Sequence, residues 1–194
     1  MTKTKPPSGG DDFDLDFTRG SETAPVSPPS PEKVENARPE SLSRDKDLQQ
    51  SGFYVAMARR SGARIAPRDG SERHTLLVVE DDKTLCGLLG EILGKAGYTV
   101  RFASNRAEIR AEFDRALPDL ILLDVQLPDA DGFNILAKLR SHPKFADLPV
   151  IMMTGRSGVA DVMQGLAAGA DGYVTKPFTL SALLAAVNSA LGRN

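Results

Sequence analysis

Acidic, hydroxyl and ammonium side chains follow four apolar runs of this sequence, and each run has the length of a β-strand. In chain order, these side chains belong to Glu80, Asp81, Asp82, Asp124, Thr154 and Lys176. In an open α/β sheet, ligands bind at the carboxyl ends of the strands. The sequence therefore predicts that these groups converge at one edge of a sheet.

The chemistry of the converging groups points to a phosphoryl group and a metal ion. Carboxylates that lie close together repel each other and raise each other's pKa. A hard divalent cation relieves this repulsion, and Mg²⁺ takes carboxylate oxygens together with water or phosphate. The ammonium of Lys176 and the hydroxyl of Thr154 complete a site for a tetrahedral anion, as phosphoryl transfer requires. Asp82 is the exception, because an acid just before a helical pattern is more often its N-cap.

The apolar runs that position these groups occupy residues 75–79, 98–103, 119–123, 150–153 and 172–175. Segments with helical period separate them, of which the first covers residues 83–96 and ends before Gly97, and the last begins at Thr179. Strands that alternate with helices favour a parallel sheet covered on both faces, and the uninterrupted runs LILL and VIMM are typical of its central strands. We therefore expect an α/β domain with a doubly wound, five-stranded parallel sheet.

Composition excludes several classes of protein. With 24 Lys and Arg against 26 Asp and Glu, the net charge of -2 gives the chain no overall attraction to nucleic acid or to an anionic membrane. The single cysteine, Cys86, can form neither an internal disulfide nor a two-cysteine zinc site. No segment reaches the roughly 20 apolar residues that span a bilayer, and the first residues lack the apolar core of a secretory signal. We expect a cytoplasmic protein without membrane insertion.

Residues 1–74 differ in composition from the rest of the chain. Residues 1–47 are rich in proline, serine and glycine and poor in apolar residues, which is typical of a disordered tail. Residues 48–66 are less polar and more basic, and three interpretations remain open for them: a short helix, a docking segment for a partner, or a strap against the folded domain. The sequence thus predicts an N-terminal tail and linker over residues 1–74 and a folded domain over residues 75–194.

Four segments together resemble the receiver domain of bacterial response regulators: VVEDD (78–82), LLDVQLPDADGF (122–133), MMTG (152–155) and GADGYVTKPF (169–178). They stand in the order and at the spacing of that family, and the resemblance covers residues 75–192. It implies a flavodoxin-like fold with strand order 2-1-3-4-5. It also implies Mg²⁺ as cofactor and a sensor histidine kinase or histidine phosphotransfer protein as phosphoryl donor.

The resemblance implies a phospho-acceptor and a metal site among the matching residues. Asp124 matches the phospho-accepting aspartate, which is also a metal ligand. Glu80 and Asp81 match the acidic pair, with Asp81 as a direct ligand of Mg²⁺ and Glu80 acting through water. Gln126, two residues after the acceptor, would offer its backbone carbonyl to the metal.

The resemblance also implies a set of residues that respond to the phosphoryl group. Lys176 matches the lysine that pairs with this group, and Thr154 matches the switch hydroxyl, so that both act with Asp124. Tyr173 matches the switch aromatic whose side chain turns inward on activation. The peptide bond between Lys176 and Pro177 is expected to be cis, a form that only X-Pro bonds adopt at low cost.

These features predict a receiver that is not an enzyme, accepts a phosphoryl group on Asp124 and signals through phosphorylation-dependent protein contacts. The sequence has no helix-turn-helix pattern and no large basic patch, so we expect neither a DNA-binding output domain nor a nucleic-acid partner. The expected docking face for a downstream protein consists of the fourth helix, the fifth strand and the fifth helix. The outer side of that fifth helix is predicted to carry small residues, namely Ser181, Ala182, Ala185, Ala186, Ser189 and Ala190.

Three other functions remain open at this point. The chain could be an intermediate in a phosphotransfer sequence, or an interaction scaffold that is independent of phosphorylation. The third alternative is a phosphatase of the haloacid-dehalogenase type, since DADG at residues 129–132 resembles its DxDG signature. That signature needs its first aspartate directly after an apolar strand, where this chain has Asp124, whereas Asp129 lies in the loop that follows.

Deletion of residues 1–47 should leave the melting temperature and the phosphorylation of Asp124 nearly unchanged. The physical reason is that a segment with so few apolar residues contributes little to a hydrophobic core. Differential scanning calorimetry of the full chain and of the shortened chain measures the effect. A drop of many degrees would show that this segment packs against the folded domain.

Overall fold

A six-stranded sheet forms the centre of the structure, a computed structural model that describes residues 55–57, 65–155 and 164–193. The strands are β1 (Val55–Met57), β2 (Thr75–Val79), β3 (Thr99–Ala103), β4 (Leu120–Asp124), β5 (Val150–Thr154) and β6 (Gly172–Thr175). Their order across the sheet is β1-β6-β5-β4-β2-β3. Strands β2 to β6 pair in parallel, and β1 is antiparallel to β6. The parallel strands alone have the order 2-1-3-4-5, which confirms the predicted flavodoxin-like fold.

Helices cover both faces of this sheet. Within the described ranges they are α1 (Lys83–Lys95), α2 (Arg106–Arg115), α3 (Gly132–Ser141), α4 (residues 164–167) and α5 (Leu180–Ala190). Asp82 and Thr179 are the N-caps of α1 and α5, as predicted, because their side-chain oxygens accept backbone N–H groups of the first turn. Gly97 follows α1 in the left-handed conformation, with φ 89°. None of the helices described here is long and apolar enough to cross a membrane.

The sheet separates two clusters of buried apolar side chains. On one face, Leu123 of β4 packs with Leu136 of α3. On the other face, Leu122 packs with Leu89 of α1 and Val187 of α5. Since neighbouring residues of a strand point to opposite faces, β4 contributes to both clusters. All residues of β4 and β5 are buried, which explains why their sequences are apolar without alternation.

The limits of the parallel strands either match the predicted ones or differ from them by one residue. Asp119 lies before β4, where its carboxylate accepts hydrogen bonds from the backbone N–H groups of Thr75 and Arg68, both at 2.7 Å. Asp124 and Thr154, which were predicted at the ends of their strands, are the last residues of β4 and β5, one residue beyond the predicted apolar runs. The hydrogen-bonded ladder of the sheet therefore fixes the backbone of both residues directly.

The predicted outer side of α5 is wrong for two of its residues. Ala186 and Ala190 are 1% and 4% exposed and belong to the same apolar cluster as Val187. The helix turns these two alanines toward the sheet, together with Leu183 one turn earlier. Ser181 and Ala185 are exposed, as predicted.

Strand β1 is the one part of the sheet that the sequence did not predict. It pairs with β6 so that Val55 faces Val174, Ala56 faces Tyr173 and Met57 faces Gly172. Three interpretations were open for residues 48–66. Residues 55–57 form a strand that pairs with the domain, which agrees with a strap and not with a helix at these three positions. A strand of three residues is too short to show a hydrophobic period. Residues 48–54 and 58–64 of this segment, and the predicted disorder of residues 1–47, lie outside the described residues.

Candidate functional site

The carboxyl ends of adjacent strands bring the predicted site residues together. Glu80 and Asp81 follow β2, Asp124 ends β4, Thr154 ends β5 and Lys176 follows β6. These four strands are consecutive neighbours in the sheet. One carboxylate oxygen from each of Glu80, Asp81 and Asp124 lies within 4.8 Å of the other two. The acidic residues therefore form one group at this edge of the sheet.

Lys176 joins two carboxylates of this group. Its Nζ donates a hydrogen bond to Oε2 of Glu80 at 2.5 Å and another to Oδ2 of Asp124 at 2.8 Å. Both carboxylates are buried, with side-chain exposures of 2% and 7%, whereas that of Lys176 is 23%. Ion pairs of such low exposure are little screened by water. The ammonium is therefore the main positive charge that the buried acids share in this structure.

Burial raises the pKa of the Glu80 carboxyl, and the negative charge of Asp124 adds to this effect. The hydrogen bond and the charge of Lys176 act in the opposite direction but do not cancel it. For Lys176, burial would by itself lower the pKa, but the hydrogen bonds to Asp124 and Glu80 and the charges of these carboxylates together outweigh burial and raise the pKa. Lys176 therefore stays charged, and the acidic group still holds more negative charge than one ammonium neutralises.

The acidic group fits a hard divalent cation. Its candidate ligand atoms are all carboxylate oxygens, the atoms that Mg²⁺ prefers in proteins. Burial is the main cause of the raised pKa of Glu80, and a cation beside this carboxylate would favour its charged form. Asp81 is exposed, so the group is open to solvent on one side. Glu80, Asp81 and Asp124 are thus the residues that could hold the metal.

Backbone groups of the loop after β4 position the Asp124 carboxylate. The N–H of Gln126 donates to Oδ1 of Asp124 at 3.2 Å, so that Lys176 and Gln126 each bind one oxygen. The N–H of Val125 donates to the carbonyl of Met153 at 3.1 Å and ties this loop to β5. The role predicted for the carbonyl of Gln126 as a metal ligand stays a prediction.

Gly132 is a residue of the site that the sequence analysis did not single out. Its N–H donates to the carbonyl of Val125 at 2.8 Å, so the start of α3 lies directly on the backbone after Asp124. A Cβ atom at Gly132 would lie 2.3 Å from the carbonyl oxygen of Asp124. A glycine at the first position of a helix, just after the N-cap Asp131, is the sequence signal for such a close approach.

The predicted switch residues occupy the neighbouring strands. Thr154 is fully buried, and its carbonyl accepts the N–H of Lys176 at 2.6 Å. Tyr173 is also fully buried, with its ring so close to Gly165 that a Cβ there would lie 2.7 Å from Cδ2. The peptide bond between Lys176 and Pro177 is cis. That Thr154 and Tyr173 respond to phosphorylation stays a prediction.

The aspartates of the DADG segment do not join the acidic group. Asp131 is the N-cap of α3 and accepts the N–H of Phe133 at 2.7 Å. Asp129 lies against Arg106, whose Nε is 3.4 Å from its Oδ2. Asp124, and not Asp129, therefore occupies the end of the strand, which argues against the phosphatase alternative.

Replacing Gly132 by alanine should lower the free energy of unfolding by about 1–3 kcal/mol, because backbone atoms would have to move to admit the new Cβ. It should also slow the phosphorylation of Asp124 by displacing its backbone. Gly87→Ala is the matched control, since Gly87 lies in α1 and, apart from its chain neighbours and the backbone of its own helix, no atom lies within 4 Å of its would-be Cβ. The control should stabilise the protein by about 0.5–1 kcal/mol. Urea denaturation measures both changes, and equal effects would contradict the close approach.

Two curated proteins are similar to this chain. The transcriptional regulatory protein GltR of Pseudomonas aeruginosa is 41% identical over 119 residues, which are 61% of this chain and 49% of GltR. The DNA-binding dual master transcriptional regulator RpaA of Synechocystis sp. is 39% identical over 118 residues, which are 61% of this chain and 49% of RpaA. The chain thus spans about half the length of these curated relatives.

These relatives contradict the expected output. We expected signalling through protein contacts without a DNA-binding output domain, yet both proteins are named as transcriptional regulators, and the name of RpaA states DNA binding. The expectation of no nucleic-acid partner loses its support for the same reason. The prediction was wrong because it rested on the charge and motifs of a region that corresponds to only half of each relative.

A solved structure agrees with the fold, and a family model matches the part of the chain that forms it. The signal receiver domain of a signal transduction histidine kinase from Syntrophus aciditrophicus is 34% identical, with a TM-score of 0.57, and covers 61% of this chain and 90% of that one. The family model of the response regulator receiver domain matches residues 76–188, a range that includes every predicted site residue. The chain belongs to the response regulator receiver domain family.

Proposed function

We propose that Asp124 accepts a phosphoryl group from a histidine kinase or a histidine phosphotransfer protein in a Mg²⁺-dependent reaction. Receiver domains interact with such donors and bind Mg²⁺ at an acidic pocket. The observation that carries the proposal is the contact of Lys176 Nζ with Oδ2 of Asp124 at 2.8 Å, beside the group of Glu80, Asp81 and Asp124. The proposal is supported by a carboxylate, an ammonium and a candidate cation site that lie side by side.

The contacts of Asp124 suggest how the reaction proceeds. One carboxylate oxygen forms a bond to phosphorus, while the bond from phosphorus to the donor's histidine nitrogen breaks and leaves its electron pair on that nitrogen. The N–H of Gln126 and the ammonium of Lys176 hold the carboxylate in place for this attack. Lys176 then neutralises oxygens of the transferred group, since its pKa is raised and it stays charged.

Glu80, Asp81 and Asp124 would hold Mg²⁺, which when bound supplies positive charge to the phosphoryl oxygens. The hydroxyl of Thr154, at the end of the neighbouring strand, is the proposed partner of the phosphoryl group after transfer. We infer that the chain is an acceptor that is modified in this reaction, and not an enzyme with a separate substrate.

Replacing Asp124 by asparagine should reduce labelling from acetyl phosphate to background, because an amide oxygen does not form a stable acyl phosphate. Chelation of Mg²⁺ should reduce labelling of the wild-type chain in the same way. Asp129→Asn is the matched control, since Asp129 lies outside the acidic group. Intact-mass spectrometry measures the label. Loss of labelling in the control, with full labelling of Asp124→Asn, would favour the phosphatase alternative instead.

We further propose that the phosphorylated receiver controls transcription. The support is the identity of 41% over 119 residues and of 39% over 118 residues with proteins that are named as transcriptional regulators. In this proposal, phosphorylation of Asp124 switches the part of the system that acts on DNA between two states.

RNA sequencing of cells that carry Asp124→Asn should show a defined set of transcripts whose levels change from the wild type. The reason is that the variant cannot enter the phosphorylated state that the proposal links to transcription. Cells with Asp129→Asn are the control and should match the wild type. Identical transcripts in all three strains, under conditions in which the wild-type chain is phosphorylated, would refute the transcriptional role.

A further inference from the structure

Strand β3 is an open edge of the sheet in the described part of the chain. It pairs with β2 on one side, and its other side, here called the β3 edge, is the end of the sheet. The N–H of Thr99 donates to the carbonyl of His74, and the carbonyl of Ala103 accepts the N–H of Glu80, both on the β2 side. Because successive residues of a strand direct their backbone groups to alternate sides, those of Val100 and Phe102 point to the β3 edge. An open edge of this kind is a template for another strand.

An apolar surface lies beside the β3 edge on the face of the sheet that carries α1. The side chain of Phe102 is 38% exposed there. Its ring lies against the backbone of α1, since a Cβ at Gly90 would be 3.1 Å from Cζ of Phe102. Gly87 and Gly94 lie on the same side of this helix. Apart from chain neighbours and the helix backbone, no atom lies within 4 Å of a Cβ built at either glycine. This side of α1 therefore has room for the side chains of an added strand.

The opposite face of the β3 edge carries a small excess of positive charge. The guanidinium of Arg101 lies on this face and donates to the carbonyls of Glu112 and Ala116 at the end of α2. Helix α2 itself contains three acidic residues and three arginines, the latter being Arg106, Arg110 and Arg115. With Arg101 included, the arginines outnumber the acids. An added strand should therefore be apolar toward α1 and acidic toward α2.

Residues 11–17 of this chain have that pattern. They read Asp-Asp-Phe-Asp-Leu-Asp-Phe, so that Phe13, Leu15 and Phe17 alternate with aspartates. Because the side chains of a strand point to alternate faces, a period of two gives a strand with one apolar and one acidic face. Beside β3, the apolar face would contact Phe102 and α1, and the acidic face would contact the arginines. A single strand is not stable alone, so this segment needs such an edge.

The connecting chain is long enough to bring residues 11–17 to the β3 edge. The N-terminal region already supplies β1 to the opposite edge of the sheet, and residues 18–54 connect the two segments. Six strands span about 24 Å. For a random chain of about 40 residues, the expected end-to-end distance is about 30–40 Å. A tether whose length is close to the distance it spans gives an effective concentration of about 1 mM.

We propose that the β3 edge binds residues 11–17 of the same molecule, which extend the sheet as a further strand. The N-terminal region then contacts both edges of the sheet, with β1 at β6 and residues 11–17 at β3. The contact is weak and reversible, because the segment is short and carries many aspartates. A contact that is occupied about half of the time or somewhat more raises the melting temperature by only about 1–4 °C. This agrees with the small effect expected from deletion of residues 1–47.

Substitutions in the full-length chain test this proposal. The test variant replaces the apolar residues of the segment by aspartate: Phe13→Asp, Leu15→Asp and Phe17→Asp. The matched control adds the same charge outside the segment: Ala24→Asp, Val26→Asp and Val34→Asp. Neither variant alters a residue of the folded domain, so both should fold like the wild type.

Exchange of single backbone amides with solvent, followed by NMR, measures the contact. The amides of Val100 and Phe102 should exchange about twofold to fivefold faster in the test variant than in the wild type and the control. The amides of Thr99 and Arg101 should not change, because they face β2. A peptide of residues 10–18, added to the test variant at about 1 mM, should slow exchange at Val100 and Phe102 again.

The occupant is identified by the dependence on protein concentration. Exchange at Val100 and Phe102 of the wild type should be equal at about 20 μM and about 500 μM, because the segment and the edge belong to one molecule. Slower exchange at the higher concentration would overturn the proposal and identify a second copy as the occupant. Equal exchange in the wild type and the test variant would show that residues 11–17 do not bind the β3 edge. An equal change at Thr99 and Arg101 would also contradict it, since β3 as a whole would then be loosened.

Discussion

The burial of two carboxylates beside one ammonium is the constraint on which the site depends. Glu80 and Asp124 cannot both stay charged in a buried position without an opposite charge, and Lys176 supplies it through two hydrogen bonds. The backbone of Lys176 is itself held by the carbonyl of Thr154. The pairing of β5 with β6 therefore sets the position of the ammonium, and the pairing of β2 with β4 sets that of the acids.

Three carboxylates lie beside one ammonium at this site, so negative charge is in excess, and burial raises the pKa of Glu80. A receiver site gains from this imbalance, because a divalent cation and the ammonium together can accommodate the charge of a phosphoryl group. Backbone contacts hold the acceptor in place. The N–H of Gln126 donates to the Asp124 carboxylate, and Gly132 at the start of α3 lies against the Asp124 backbone. The exposed Asp81 leaves the other side open to a donor protein.

Strand β6 connects the functional site with the N-terminal region. One side of it pairs Thr175 with Thr154 and leads directly to Lys176. The other side pairs Tyr173 with Ala56 of β1. A change in the backbone of β6 at the acceptor site therefore alters the same strand that β1 binds. The names of the relatives concern transcription, and they say nothing about the role of β1.

The sequence by itself determined the parallel strands to within one residue, because apolar periods carry this information. It also determined the N-caps Asp82 and Thr179, because capping depends on local hydrogen bonds, and it predicted the acidic group. Only the tertiary structure decided that Lys176 joins carboxylates 52 and 96 residues away, and that α3 lies on the backbone of Asp124 at Gly132. It also decided the place of β1, since three residues have no period and their pairing depends on which edge the folded sheet leaves open.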